Sequence, residues 1–344
     1  MIPTMTVRDV LLAAGVMILL APVPAVGQEP AVPDTMLAAA IDHGGGPEVL
    51  QTRRLPIPKP KAGEVLVAMH AAGVAVWEAA ARQNPPKDAR FPVVLGTEGS
   101  GVVAALGPDV NAFSVGDAVY GEIHASYAQF ATARADRIIR IPSRLNFAEA
   151  AALGVSGLSA LQGVEDVLRI KRGETLIIHG AAGAVGTFAI QLAKRRGAKV
   201  LATATDDAGL ALVTRLGADE AVNGRTGDIA AAARLLSPRG VDAVLGLAGG
   251  EALERCIDTL RKDGEGRIAY LYGVEPQPRS RYGITTIVYS YTANPQKLSS
   301  LNDAVRRSGL EVVVAAEYPL DQAAAAHERL ERGRLLGKMV FRID

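Results

Sequence analysis

Between residue 36 and about residue 150 the apolar runs are short, and Gly or Pro separates them. EVLVAMHAAGV (64–74), GSGVVAAL (99–106) and GDAVYGE (116–122) are examples. Runs of this length predict an irregular, mostly β region. Phe147 to Val164 is rich in Ala and Leu and reads as helix. After Gly173 the texture changes to alternating strands and helices. TLIIH (175–179) is a short, mostly apolar strand, as expected where both faces are covered. Val185, Phe188, Ala189, Leu192 and Ala193 then recur at helical spacing. KVLATAT (199–205), AVN (221–223), VDAVLGLA (241–248) and RIAYLYG (267–273) are the next predicted strands. Helices are predicted between them at 207–216, 227–237 and 250–260. This alternation predicts a parallel sheet with helices on both faces. Beyond residue 275 come a strand-like run (284–292), a helix (295–308), a strand (311–320), an Ala-rich helix (321–333) and a last strand (338–343).

Val10 to Gly27 carries no charge and is strongly apolar in its first part. Pro22 and Pro24 follow, and Ala25 and Gly27 put small residues where a signal peptidase reads. Residues 1–27 therefore resemble a secretory signal peptide with cleavage after Gly27, which predicts a periplasmic or secreted protein. The apolar run is about a dozen residues, short of the roughly 20 a spanning helix needs, so no stable membrane span is expected. Two other readings stand beside export. One is a start at Met36 and a cytoplasmic protein, because MLAAAIDHGGGPEVL forms a complete first strand and turn. The other is a membrane anchor.

The chain has 344 residues and a formal charge of +1. Such a balance lacks the basic footprint of a nucleic-acid binder. Six Phe, one Trp and eight Tyr are too few for repeated stacking platforms. The single cysteine, Cys256, excludes an intrachain disulfide and any site built on several Cys ligands. The five histidines include no pair at helical metal-ligand spacing.

The segment that carries chemistry is HGAAGAVG, His179 to Gly186. It follows a buried strand and opens an amphipathic helix. Gly180 permits the tight turn, Gly183 lets a pyrophosphate approach the backbone, and Gly186 lets helix and strand pack closely. The helix N-terminus adds unpaired N–H groups and partial positive charge. At the end of the second strand, Thr203 and Thr205 can donate to a phosphate. Asp206 would repel one if turned inward, but its position also suits a helix N-cap. No side chain stands out as a general acid. Trp77, Glu78, Tyr120 and Tyr127 could reach a cleft, but packing explains Trp77 and both Tyr, and a solvated helix face explains Glu78. Cys256 falls in an apolar helical pattern and is expected to be buried.

From these segments, together with PVVLGTEGSGVVAALGPDVNAFSVGDAVYGE, LGADEAVN and LLGKMVFRI, the chain resembles the medium-chain dehydrogenase/reductase superfamily. Its zinc-independent quinone oxidoreductase branch is the nearest match, over about residues 36–344. The resemblance implies an α/β fold: a GroES-like, β-rich catalytic domain (36–155 and 294–344) and a doubly wound Rossmann domain (156–293). It implies hydride transfer from NAD(P)H to a quinone or an α,β-unsaturated carbonyl, and a homodimer formed through the strand at 284–292. Carried over residue by residue, the cofactor set is Ser159, Gly180, Ala182, Gly183, Ala184, Val185, Gly186, Thr203, Thr205, Ala248, Gly273 and Lys338. Zinc-dependent relatives carry Cys, His and Cys where this chain has Ala75, Thr97 and an apolar residue near Ala152, so no zinc is expected. NADP(H) is favoured over NAD(H), although the family's Lys and Tyr for the 2′-phosphate are replaced by Gly209 and Gly224, the latter followed by Arg225. Ala75 and Glu78 stand where Asn and Asp commonly meet substrate. The alternatives are a nucleotide-binding sensor or partner-binding protein without turnover, and a zinc-free reductase of another small carbonyl.

Overall fold

The computed structural model describes residues 33–343, so the signal-like segment and its cleavage position lie outside the described residues. In chain order the first half contains β1 (Thr35–Ile41), β2 (Gln51–Pro56), β3 (Glu64–Val74), α1 (Val76–Gln83), β4 (Val93–Val94), β5 (Glu98–Leu106), β6 (Ala118–Glu122), β7 (Phe130–Arg134), β8 (Ile138–Arg140) and α2 (Phe147–Leu161). The second half contains β9 (Thr175–His179), α3 (Ala184–Arg195), β10 (Lys199–Ala204), α4 (Asp207–Arg215), β11 (Glu220–Asn223), α5 (Ile229–Leu236), β12 (Ala243–Gly246), α6 (Glu251–Asp258), β13 (Arg267–Leu271) and β14 (Thr285–Tyr289). The chain ends with α7 (Pro295–Ser308), β15 (Val314–Pro319), α8 (Ala323–Glu331) and β16 (Lys338–Arg342).

Strands β9 to β14 form one parallel sheet in the order β11-β10-β9-β12-β13-β14. That is the doubly wound order, with the switch point between β9 and β12. The continuous apolar runs follow from it. Leu176 and Ile178 of β9 enter one core with α2, α3 and α7, while Ile177 enters the opposite core with α5 and α6. Cys256 lies fully buried in the second core, as its helical spacing predicts. β14 is the sheet edge, and Val288 on it is 53% exposed.

The other large sheet runs β15-β16-β3-β5-β6-β8, with β7 also on β3, and a small sheet joins β2, β1 and β4. β16 pairs antiparallel with β3, so the chain's end returns to the strands of its beginning. α2 packs against β3, β5 and β6 of this sheet and against α3 of the Rossmann half. Its start is fixed by a capping box, in which Asn146 accepts from the Glu149 N–H and Glu149 accepts from the Asn146 N–H. The helix continues through a wide turn over Gln162–Val167. Among the described residues it is the helix long and apolar enough to cross a membrane, and it is buried inside the protein.

Candidate active site

β9 ends at His179, and Gly180 turns the chain with φ +79°, a conformation glycine adopts without strain. Gly186 then brings α3 onto the turn: a Cβ there would lie 2.5 Å from the Ala181 backbone. Gly183 differs. A Cβ on it would meet nothing nearer than the Gly180 carbonyl at 3.5 Å, so the space beside it is open. No side chain caps the N-terminus of α3. Open space, an uncapped helix N-terminus and a glycine facing both suit an anionic pyrophosphate. Ala182 and Ala184 are half-buried around that space, and Val185 is buried beneath it. Ala248, after β12, packs near Gly180, and Gly273 follows β13 with open surroundings. These residues gather at the C-terminal ends of the parallel strands, where ligands bind in such sheets.

Three of the carried-over residues are buried and engaged with protein partners. Thr203 is buried at 1% exposure, and its hydroxyl lies 2.8 Å from His179 Nδ1 and accepts from the Gly180 N–H. Through these contacts it braces the Gly180 turn. Ser159 is buried and donates to the Val155 carbonyl one helical turn back. Lys338 is fully enclosed and its ammonium pairs with Glu98, not with the loop. Thr205, by contrast, is exposed at the end of β10. Asp206 caps α4, accepting from the Gly209 N–H at 2.9 Å. Burial pushes the His179 pKa down to about 4, so this ring is neutral at physiological pH.

The loop is tied to a second cluster through Gly337, which bridges Gly183 and donates to the Ala182 carbonyl at 2.9 Å. The next residue is Lys338. Its partner Glu98 also accepts from the Val155 N–H of α2 at 2.7 Å. The Lys338 ammonium lies 4.6 Å from the centre of the Trp77 ring. Trp77 Nε1 donates to Thr97 Oγ1 at 2.8 Å, and that hydroxyl donates to Glu78 Oε1 at 2.6 Å. Glu78 is buried at 2% exposure, which corrects the solvated-helix reading. Tyr120 is a strand core residue whose hydroxyl donates to Asn302, whereas Tyr127 is buried in a loop after β6 rather than in a strand. Beside this cluster Glu122 pairs with His124, and each favours the charged form of the other.

At the positions where zinc-dependent relatives hold their metal, this chain presents other groups. Ala75 offers a methyl group, the Thr97 hydroxyl is engaged by Trp77 and Glu78, and Glu98 is neutralised by Lys338. Among the described residues no three His, Cys, Asp or Glu side chains are placed to share a metal.

A doubly wound nucleotide-binding sheet joined to a β-rich unit, with a glycine loop against the joining strand, defines a dehydrogenase-type oxidoreductase. Residues 61–144 match the model of the alcohol dehydrogenase GroES-like domain, and residues 216–341 match the zinc-binding dehydrogenase model. The quinone oxidoreductase of Mus musculus is 30% identical over 322 residues, covering 89% of this chain and 97% of its own. A solved NAD-dependent alcohol dehydrogenase is 31% identical with TM-score 0.83, covering 90% of this chain and 100% of its own. The quinone oxidoreductase of Escherichia coli, solved with NADPH, is 25% identical with TM-score 0.77, covering 90% and 99%. The chain belongs to the medium-chain dehydrogenase/reductase superfamily, in its quinone oxidoreductase-like branch.

Neither Glu98 nor the burial of Glu78 was read from the sequence. The one available signal was Lys338 in the terminal GK pair: a charge inside an apolar strand needs a buried partner.

Proposed function

We propose that this oxidoreductase is a zinc-independent, NADPH-dependent reductase of quinones or α,β-unsaturated carbonyls. The observation that carries the reading is the open face of Gly183 at an uncapped helix N-terminus, beside a donor set unfit for zinc. Without a Lewis acid, alcohol oxidation loses its usual means of stabilising an alkoxide. An electron-poor acceptor gives a delocalised anion that needs less help. When bound, the dinucleotide supplies the hydride. The protein's part is to hold the phosphates at Gly180–Gly186, fix the acceptor and exclude water. The relative solved with NADPH favours the phosphorylated cofactor. Arg225 supports it independently. Its side chain is exposed just after β11, and the preceding Gly224 N–H donates to the Ala204 carbonyl at the end of β10. That brings the Arg225 backbone close to the end of β10, the strand end at which such sheets hold a ribose or its 2′-phosphate, and Asp206 there is occupied as a helix cap.

The same reading takes the catalytic unit as 36–155 with 294–344, the nucleotide unit as 156–293, and β14 as the edge joining a homodimer. It takes residues 1–27 as an export signal. N-terminal sequencing of native protein that began at Met36 would remove the export proposal.

Fluorescence titration with NADPH and NADH, on wild type and Arg225→Ala, tests the cofactor. Wild type is expected to prefer NADPH, and the variant to lose that preference while binding NADH unchanged. Quinones and enones are then added in turn while nicotinamide absorbance is followed. Tight binding without oxidation of NADPH by any acceptor would favour a nucleotide sensor instead.

A further inference from the structure

Among the described residues, Glu78 is a buried acid that the packing alone does not account for. It is enclosed in the first turn of α1, and its Oε2 is buried with no hydrogen-bond partner. A carboxylate half-satisfied in such surroundings is costly to keep ionised. The charges facing it come from other elements. Lys338 of β16 favours the ionised form and Glu98 of β5 opposes it. Those two are already paired with each other. Tyr127, His124 and Tyr291 also lie within its field. Burial outweighs the rest and carries the Glu78 pKa up to about 7.

Thr97 is the partly exposed neighbour of this acid, in the cluster that Gly337 and Lys338 tie to the glycine loop. It is half-buried, just before β5, and Glu78 lies behind it. A hydroxyl has one hydrogen and two acceptor positions. Trp77 Nε1 fills one acceptor position, and Trp77 is itself held under the Lys338 ammonium. A protonated Glu78 fills the other by donating to Oγ1, which frees the Thr97 hydrogen to point outward. When Glu78 is ionised, the hydrogen turns back to Oε1, the contact seen in the structure.

We propose that Glu78 and Thr97 form a two-member relay that delivers one proton to the oxyanion of the reduced acceptor. The proposal rests on the reductase reading above. A reduced nicotinamide dinucleotide gives up a hydride, and the acceptor takes both electrons and becomes an oxyanion. The Thr97 O–H bond breaks as the acceptor O–H bond forms. The Glu78 O–H bond breaks as the new Thr97 O–H bond forms. Glu78 is left as a carboxylate and regains its proton from solvent. Thr97 is the group that touches substrate, and Glu78 acts through it.

The test uses the intact mature protein with Glu78→Gln and Thr97→Val, both close to isosteric. In infrared difference spectra, without cofactor, the wild type should show a protonated-carboxyl band that vanishes with a midpoint near pH 7. The band should be missing in Glu78→Gln and present in Thr97→Val. With NADPH and a quinone, wild-type kcat should fall above that midpoint and show a solvent deuterium isotope effect. Both variants should lose about 100-fold in kcat and the pH-dependent limb, with KM for NADPH unchanged. A carboxyl midpoint at the ordinary glutamate value would overturn the proposal whatever the activity. So would wild-type kcat and pH profile in both variants. If the wild type reduces no quinone or enone, the reductase reading falls and the relay with it, while the infrared midpoint still reports on Glu78 separately.

Discussion

Two glycines three residues apart separate folding from cofactor binding. A methyl group at Gly186 would sit 2.5 Å from the Ala181 Cα and carbonyl oxygen, both rigid backbone. No rotamer change relieves that contact, so α3 must move off β9. Overpacking of this kind costs typically 1–3 kcal/mol, and backbone on both sides places Gly186→Ala at about 3 kcal/mol. In a domain of this size that lowers Tm by about 5–10 °C. A methyl group at Gly183 meets only the Gly180 carbonyl at 3.5 Å, and its backbone (φ −81°, ψ 179°) suits any residue. Gly183→Ala should therefore leave stability within about 1 kcal/mol. The methyl would instead occupy the space beside the N-terminus of α3. Loss of one charge-assisted hydrogen bond there is worth about 1.5–3 kcal/mol, or roughly 10- to 100-fold in NADPH affinity. Thermal melts and NADPH fluorescence titrations of both variants are the assay. Equal destabilisation by the two substitutions, or wild-type NADPH affinity in Gly183→Ala, would refute the assignment of the open face to the cofactor.

Lys338→Met leaves the Glu98 charge buried and unpaired, and urea unfolding should show a loss of about 3–5 kcal/mol. Adding Glu98→Gln should recover most of it, and a loss under about 1 kcal/mol in the single variant would mean that water reaches the pair. The raised pKa of Glu78 means that the folded protein holds this proton more tightly than the unfolded chain. Its contribution is complete below the unfolded value of about 4.3, falls as pH rises from there to 7 and then levels, about 4 kcal/mol in all. Unfolding free energies of wild type at about pH 5 and pH 8, each taken relative to Glu78→Gln, should show that decline, and parallel behaviour of the two proteins would contradict it. Val288→Lys puts a charge on the exposed edge strand β14 and should convert a dimer to a monomer in light scattering. A monomeric wild type would remove the proposed role of β14.

The parallel sheet was legible because TLIIH and its partners are buried on both faces, so their runs are continuous rather than alternating. The glycine loop was legible because backbone geometry, not side-chain chemistry, limits it to a few residue types. The same two-sided burial hid the direction of Thr203: with both faces covered, nothing in KVLATAT says which side chains face the neighbouring His179. The wide turn after α2 was not foreseen either, since QGVEDV has no local signature for it. Most of the acid cluster was illegible for another reason. Trp77, Thr97, Glu98 and Lys338 come from separate segments, and Glu98 and Lys338 are 240 residues apart. Their pairing depends on β16 returning to β3, which no local pattern encodes. Glu78 sits in a helix whose spacing allows either a solvated or a buried acid, and only its contact with Thr97 decides between them.

The most direct test uses mature protein exhaustively stripped with a chelator, mixed with NADPH and then with a simple quinone while nicotinamide absorbance is followed. Saturable oxidation, unchanged by the chelator and not raised by added zinc, is the expected result. Turnover that appears only on adding zinc, or a protein that neither binds nor oxidises NADPH, would contradict a zinc-free nicotinamide reductase.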